Sequence, residues 1–233
     1  MKTIGLIGGM SWASTAEYYR LLNHTINQRL GGLHSARILL YSVDFADIEP
    51  TLRESRWADA SAILTGAARR LEAGGAEMVL LCTNTLHKVA DNIERATKLP
   101  FIHIADACGE AIVARKLKKV ALLGTRFTME QDFLSSRLER RFGLEVFVPK
   151  PADIDATHQI IFGELVLGKI EARSKAKYLE VIQSLIARGA EGVILGCTEI
   201  GLLVKPEDVS VPVFDTTWTH AMAAVEMALS GST

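Results

Sequence analysis

The chain is poor in cysteine, has no long apolar run and carries no excess charge of either sign. Its three cysteines, at 82, 108 and 197, are an odd number at wide spacings. That pattern makes neither a disulfide framework nor a zinc site with paired ligands. It fits a reducing compartment, in which a thiol stays free for chemistry. No run reaches the ~18 apolar residues of a membrane span, so no membrane partner is expected. Lys and Arg number 26 against 27 Asp and Glu, for a net charge of -1. No basic run invites nucleic acid and no acidic tail is present. GxGxxG and GxxxxGK[ST] are both missing, which argues against a dinucleotide or P-loop site. His24, His34, His103, His158 and His220 show no metal spacing, and His87, which follows CTNTL, is either a neighbour of a pocket or an isolated structural histidine. No metal site and no pyridoxal phosphate site is expected. The opening MKTIGLIGGMSWASTA looks superficially like a secretion signal, but its apolar part is short and holds three glycines. A near copy recurs deep in the chain, so the expected location is the cytoplasm.

The sequence does hold 48% apolar residues over 233 positions, enough for a core in one large or two small domains. Short apolar runs alternate with stretches of helical spacing. Thr3–Gly8, Ala36–Val43, Glu77–Cys82 and Leu99–Ile104 read as strands. Ser14–Leu30, Trp57–Ala73 and Asn84–Thr97 read as helices. The segment 44–57, DFADIEPTLRESRW, reads as a long loop able to carry a specificity residue. Arg53 and Arg56 within it are either partners for a substrate carboxylate or solvated surface charges. This alternation predicts an α/β fold with parallel sheets flanked by helices.

The pattern is written twice. KTIGLIGG at 2–9 matches KKVALLGT at 118–125. GAEMVLLCTNT at 75–85 matches GAEGVILGCTE at 189–199. LPFIHIAD at 99–106 matches VPVFDT at 211–216. Three blocks in the same order predict two pseudo-symmetric lobes. The expected first lobe is 1–103 plus 213–233, and the second 104–212, with a site between them.

The register of this repeat bears on the cysteines. Aligning Gly75-Ala76-Glu77 with Gly189-Ala190-Glu191 puts Cys82 on Gly196 and Thr83 on Cys197. Neighbouring side chains of a strand point to opposite faces. Thr83 is therefore the counterpart of Cys197, and Cys82 is expected to be buried. In open α/β sheets ligands gather beyond the C-terminal strand ends. Helix N-termini there bind anions and lower a thiol's pKa. Gly8-Gly9-Met10-Ser11 and Gly124-Thr125-Arg126 form a second pair of such turns. Facing lobes would enclose a small polar pocket for a small anion. Proton-transfer groups on both faces of one carbon point to racemisation.

On the motifs IGLIGGMSW (4–12), CTNTLH (82–87), LLGTRFTM (122–129) and GCTEIGLL (196–203), the chain resembles the aspartate/glutamate racemase family over essentially its whole length. Its nearest likeness is to broad-specificity and L-aspartate/glutamate-specific bacterial members. The resemblance implies a cofactor-independent amino-acid racemase, a small amino acid as ligand, and a homodimer. It implies that Cys197 takes the α-proton of the L-enantiomer. The family's other cysteine falls on Thr83, where this chain departs from the two-thiol pattern. Asn84, Thr85, Thr198 and Glu199 are implied as ligands for the amino and carboxylate groups, with helix capping the alternative for Asn and Thr. Met10, Ser11 and Thr125 are expected to line the pocket or to serve the turns. Leu52 is a further lining candidate, apolar where the family often carries a polar residue. Thr128 either lines the pocket or caps a helix. Cys108 is expected at the start of a helix, in the core, and the basic stretches 115–119 and 137–141 as solvated faces. Two other readings stay open: a same-fold decarboxylase or cis–trans isomerase using one cysteine, and an amino-acid sensor without turnover.

Overall fold

The structure is a computed structural model that describes residues 1–230. The chain divides into two compact units. The first is 1–104 with the segment from His220 onward, and the second is Ala105–Thr219.

In the first unit the elements run β1 (Ile4–Gly8), α1 (Trp12–Leu30), β2 (Ile38–Ser42), α2 (Phe45–Arg53), α3 (Trp57–Ala73) and β3 (Met78–Leu81). A 3-10 turn (Thr85–Val89) then leads into α4 (Ala90–Ala96), followed by β4 (Phe101–Ile102). The four strands form a parallel sheet in the order β2-β1-β3-β4. Parallel strands covered on both faces need continuous apolar runs, and every residue of β1 and β3 is buried. The pleat divides them between two cores. Ile7, Val79 and Leu81 meet Ile48, Ala60, Leu64 and Ile93 on one face. Ile4, Leu6, Met78, Leu80 and Cys82 meet Tyr18, Leu22 and Ile26 of α1 on the other. Burying each large aliphatic side chain contributes about 1.5–3 kcal/mol.

The second unit repeats this plan. After α5 (Ile104–Ala114) come β5 (Lys119–Gly124), α6 (Arg126–Glu130), α7 (Ser135–Phe142), β6 (Glu145–Phe147), α8 (Pro151–Gly163), α9 (Ala172–Ala187), β7 (Gly192–Gly196), α10 (Ile200–Leu203) and β8 (Val213–Asp215), after which α11 (Thr216–Leu229) carries the chain back to the first unit from His220. Its parallel sheet runs β6-β5-β7-β8. Ile4 pairs with Met78 and Val120 with Gly192. The two central pairs thus share one register. The fold is α/β, with two four-stranded parallel sheets flanked by helices.

Several elements differ from the sequence reading. The segment 44–57 is mostly helix, not loop. Asp44 caps α2 by accepting from the Ala46 N–H at 3.0 Å, and Ile48 anchors it in the core. Pro50 inside the helix hides this from periodicity. The stretch 99–104 keeps only two strand residues, because Ile104 already opens α5. The stretch 84–97 begins as 3-10 and only then becomes α-helix. Residues 213–215 pair with β7, so this strand belongs to the second sheet and 213–219 to the second unit. Of the expected first lobe, 231–233 lie outside the described residues. Arg137 is not a solvated charge. It makes two hydrogen bonds to Asp106, at 2.6 and 2.7 Å, with both side chains 18% exposed. Cys108 is the fifth residue of α5 and is buried.

Candidate active site

The order β2-β1-β3-β4 places β1 and β3 side by side while their connections leave in opposite directions across the sheet. That reversal opens a crevice at their C-terminal ends. β5 and β7 stand in the same relation in the second unit.

In the first unit, the crevice begins at Gly8 and Gly9. Gly9 has φ +97°, and a Cβ there would lie 2.1 Å from the Val43 carbonyl oxygen. Only glycine turns the chain so tightly. Ser11 then caps α1, its hydroxyl accepting from the Ser14 N–H at 3.3 Å. Thr15 ties the turn together. Its Oγ1 accepts from the Gly9 N–H at 2.8 Å and donates to the Ser11 carbonyl at 2.9 Å. Met10 is 6% exposed and packs in the first core. Leu52 is half-buried against the same core.

At the end of β3, Cys82 is fully buried among the α1 side chains, and burial pushes its thiol pKa far up. Thr83, one residue on, is half-exposed, as is Thr85, while Asn84 is buried. The shared sheet register makes Leu81 the counterpart of Leu195. Two residues further on, Thr83 is the counterpart of Cys197. The His87 imidazole hydrogen-bonds the Thr83 carbonyl through Nδ1 at 2.6 Å. Sequence reading left His87 as an isolated histidine, and only its position four residues after Thr83 could have hinted at this contact.

In the second unit, Gly124 and Gly196 allow their strands to close up. A Cβ on Gly124 would lie 2.9 Å from the Gly196 carbonyl oxygen. Thr125 caps α6, accepting from the Thr128 N–H at 3.3 Å, with the two hydroxyls 3.1 Å apart. Thr128 is fully buried beneath it. Cys197 follows β7 and is partly buried against the second core. Its Sγ–H donates to Glu199 Oε2 at 2.9 Å, and the Thr198 hydroxyl donates to the same oxygen at 2.9 Å. The expected lowering of the thiol pKa is not found. Burial, and then the neighbouring Glu199 carboxylate, hold Cys197 well above the ordinary thiol value, with Asp215 pushing the same way. A four-residue α10 aligns too few peptide dipoles to offset this.

Chemically, the second unit offers a protonated thiol hydrogen-bonded to a carboxylate. The first offers a hydroxyl at the matching position. Arg53 and Arg56 are exposed and pair with Glu49, Glu54 and Asp59 on their own surface. Among the described residues, no group of three His, Cys, Asp or Glu side chains is arranged to hold a metal. No helix among them is long and apolar enough to cross a membrane.

The family model for Asp/Glu/Hydantoin racemases matches residues 7–224. The chain belongs to that family. Among solved structures, this racemase-family chain is similar to a candidate Asp/Glu racemase from Yersinia pestis, 52% identical, with 99% of this chain and 100% of that one covered and a TM-score of 0.95. It is similar also to an aspartate racemase homologue from Pyrococcus horikoshii OT3, 37% identical over 98% of this chain and 99% of that one, with a TM-score of 0.87. The broad specificity amino-acid racemase RacX of Bacillus subtilis is 24% identical over 97% of this chain and 98% of its own length.

Proposed function

We propose that this family member is an amino-acid racemase for aspartate or glutamate, working without a cofactor. The observation that carries the reading is the Cys197 thiol donating to Glu199, with Thr83 at the matching place in the repeat. Cys197 passes its proton to Glu199, and the resulting thiolate takes the α-proton of the L-enantiomer. Asn84, Thr85, Thr198 and Thr125 offer hydrogen bonds for the amino and carboxylate groups, and Ser11 lies on the neighbouring turn. Thr83, or a water that it holds, returns a proton to the other face of the α-carbon and regains one from solvent, to which Glu199 releases the proton it took. The ligand is a small amino acid, and the assembly is a homodimer.

A hydroxyl is a far weaker acid than a thiol, whose ordinary pKa is about 8.5. The two sides are therefore unequal, yet the enantiomers have equal free energy. Catalytic efficiencies must match in both directions. What differs is wash-out: the L-enantiomer exchanges its α-proton with solvent faster than it inverts. The decarboxylase, isomerase and sensor readings are not favoured, since the family match spans nearly the whole chain.

Proton NMR in D₂O with L- and D-aspartate and L- and D-glutamate, alongside chiral analysis, tests this. We expect fast loss of the L α-proton, slower inversion, abolition of both by Cys197→Ser, and faster D-side exchange in Thr83→Cys. No exchange with any of the four would remove the substrate assignment.

A further inference from the structure

We infer that His87 is a positioning residue for Thr83, holding the peptide after β3 in the direction that presents the Thr83 hydroxyl. This rests on the role proposed above for Thr83.

The hydrogen bonds fix the state of the ring. The Ile104 N–H points at His87 Nε2 from 3.2 Å, so that nitrogen is the acceptor. Nδ1 therefore carries the proton and donates to the Thr83 carbonyl at 2.6 Å. The ring is 3% exposed and held by aromatic neighbours. The His103 ring lies 4.6 Å away, that of His220 5.7 Å and that of Phe101 5.8 Å, centroid to centroid. His220 is itself fixed, its Nδ1 2.7 Å from the Tyr18 hydroxyl and its Nε2 2.7 Å from the Ile102 carbonyl. A rotation of the His87 ring would cost these two hydrogen bonds and this packing.

The internal repeat shows that the arrangement is not a requirement of the fold. In the second unit the counterpart of Thr83 is Cys197, and its carbonyl accepts from the main-chain N–H of Ile200 at 3.2 Å. The counterpart of His87 is Gly201. A Cβ there would lie 2.8 Å from Asp215 Oδ2, so a carboxylate fills the space an imidazole would need. In one unit a main-chain N–H meets the carbonyl of the acid/base residue. In the other a side chain does. Loss of that side chain should disturb the Thr83 side selectively.

The test compares wild type, His87→Phe and His87→Asn. Phe keeps a ring and loses the donor, whereas Asn puts an amide N–H where Nδ1 stood. In D₂O, His87→Phe is expected to slow wash-out from the D-enantiomer and net inversion by roughly ten- to hundredfold, the cost of moving a reacting group by about an ångström. Wash-out from the L-enantiomer stays near wild type, and His87→Asn recovers most of the loss. Parallel loss for both enantiomers, or no loss, overturns the proposal. If wild type exchanges neither enantiomer, the racemase reading fails by itself. The positioning role is then judged by iodoacetamide alkylation of the thiol introduced by Thr83→Cys in a Cys197→Ser background. A roughly tenfold change in rate on adding His87→Phe supports it, and an unchanged rate overturns it.

Discussion

Cys197 and Glu199 are two residues apart, and their contact reverses what a strand-end cysteine leads one to expect. A thiol next to helix N–H groups should ionise easily, whereas this one is held protonated by burial first and by the carboxylate beside it second. Replacing Glu199 with Gln removes the charge and the ionised acceptor. The pH profile of Cys197 alkylation should then move to lower pH, because both influences of the carboxylate favour the protonated thiol. Cys82 and Cys108 are fully buried with thiols pushed far up, so they do not obscure the measurement. A midpoint that stays put or rises would remove Glu199 as the partner of the thiol. Sequence reading named both residues but gave Glu199 only a substrate-binding role. Whether its carboxylate turns toward the sulfur depends on backbone angles after β7, which residue types do not specify.

At the level of elements, the turns carry the most specific demands. The β1–α1 connection needs Gly9 in left-handed backbone with no room for a Cβ. Gly9→Ala should cost about 2 kcal/mol or more in urea unfolding, and would displace the turn that bears Ser11. The link from α5 to α7 is of a different kind. The fork of Arg137 meets Asp106 with both half-buried. Arg137→Met should lower stability by roughly 1.5–3 kcal/mol, the range for hydrogen bonds to a charged group, and an unchanged midpoint would count against it. The long helices α1 and α3 were legible, since their buried residues recur at helical spacing. α2 was not, because proline and charge hide a helix whose apolar face is narrow. Arg137 was misread for a similar reason: a basic run looks solvated until another helix brings it a carboxylate.

For the whole molecule, one buried group sets a pH dependence of folding. His220 is fully buried, and burial lowers its pKa from 6.5 to about 4. The folded state therefore keeps it neutral where the unfolded chain would bind a proton. Its contribution is fully present above pH 6.5 and is lost as pH falls from there to about 4, a change of roughly 3 kcal/mol. His158 is shifted in the same direction, chiefly by burial. Thermal unfolding across that window should show a falling Tm, with a shallower slope in His220→Phe. Equal slopes in the two proteins would show that His220 is not the group responsible.

The sequence by itself determined the parallel α/β class, the doubling of the chain and the equivalence of Thr83 and Cys197 within the repeat. Those follow from local periodicity and from one alignment register, both of which survive in linear order. Tertiary structure decided that the Cys197 thiol faces a carboxylate, that His87 reaches the Thr83 carbonyl, and that 213–219 join the second unit. Each of these depends on main-chain direction at a strand end or on partners far along the chain, and hydrogen bonds of about 3 Å leave no trace in residue order.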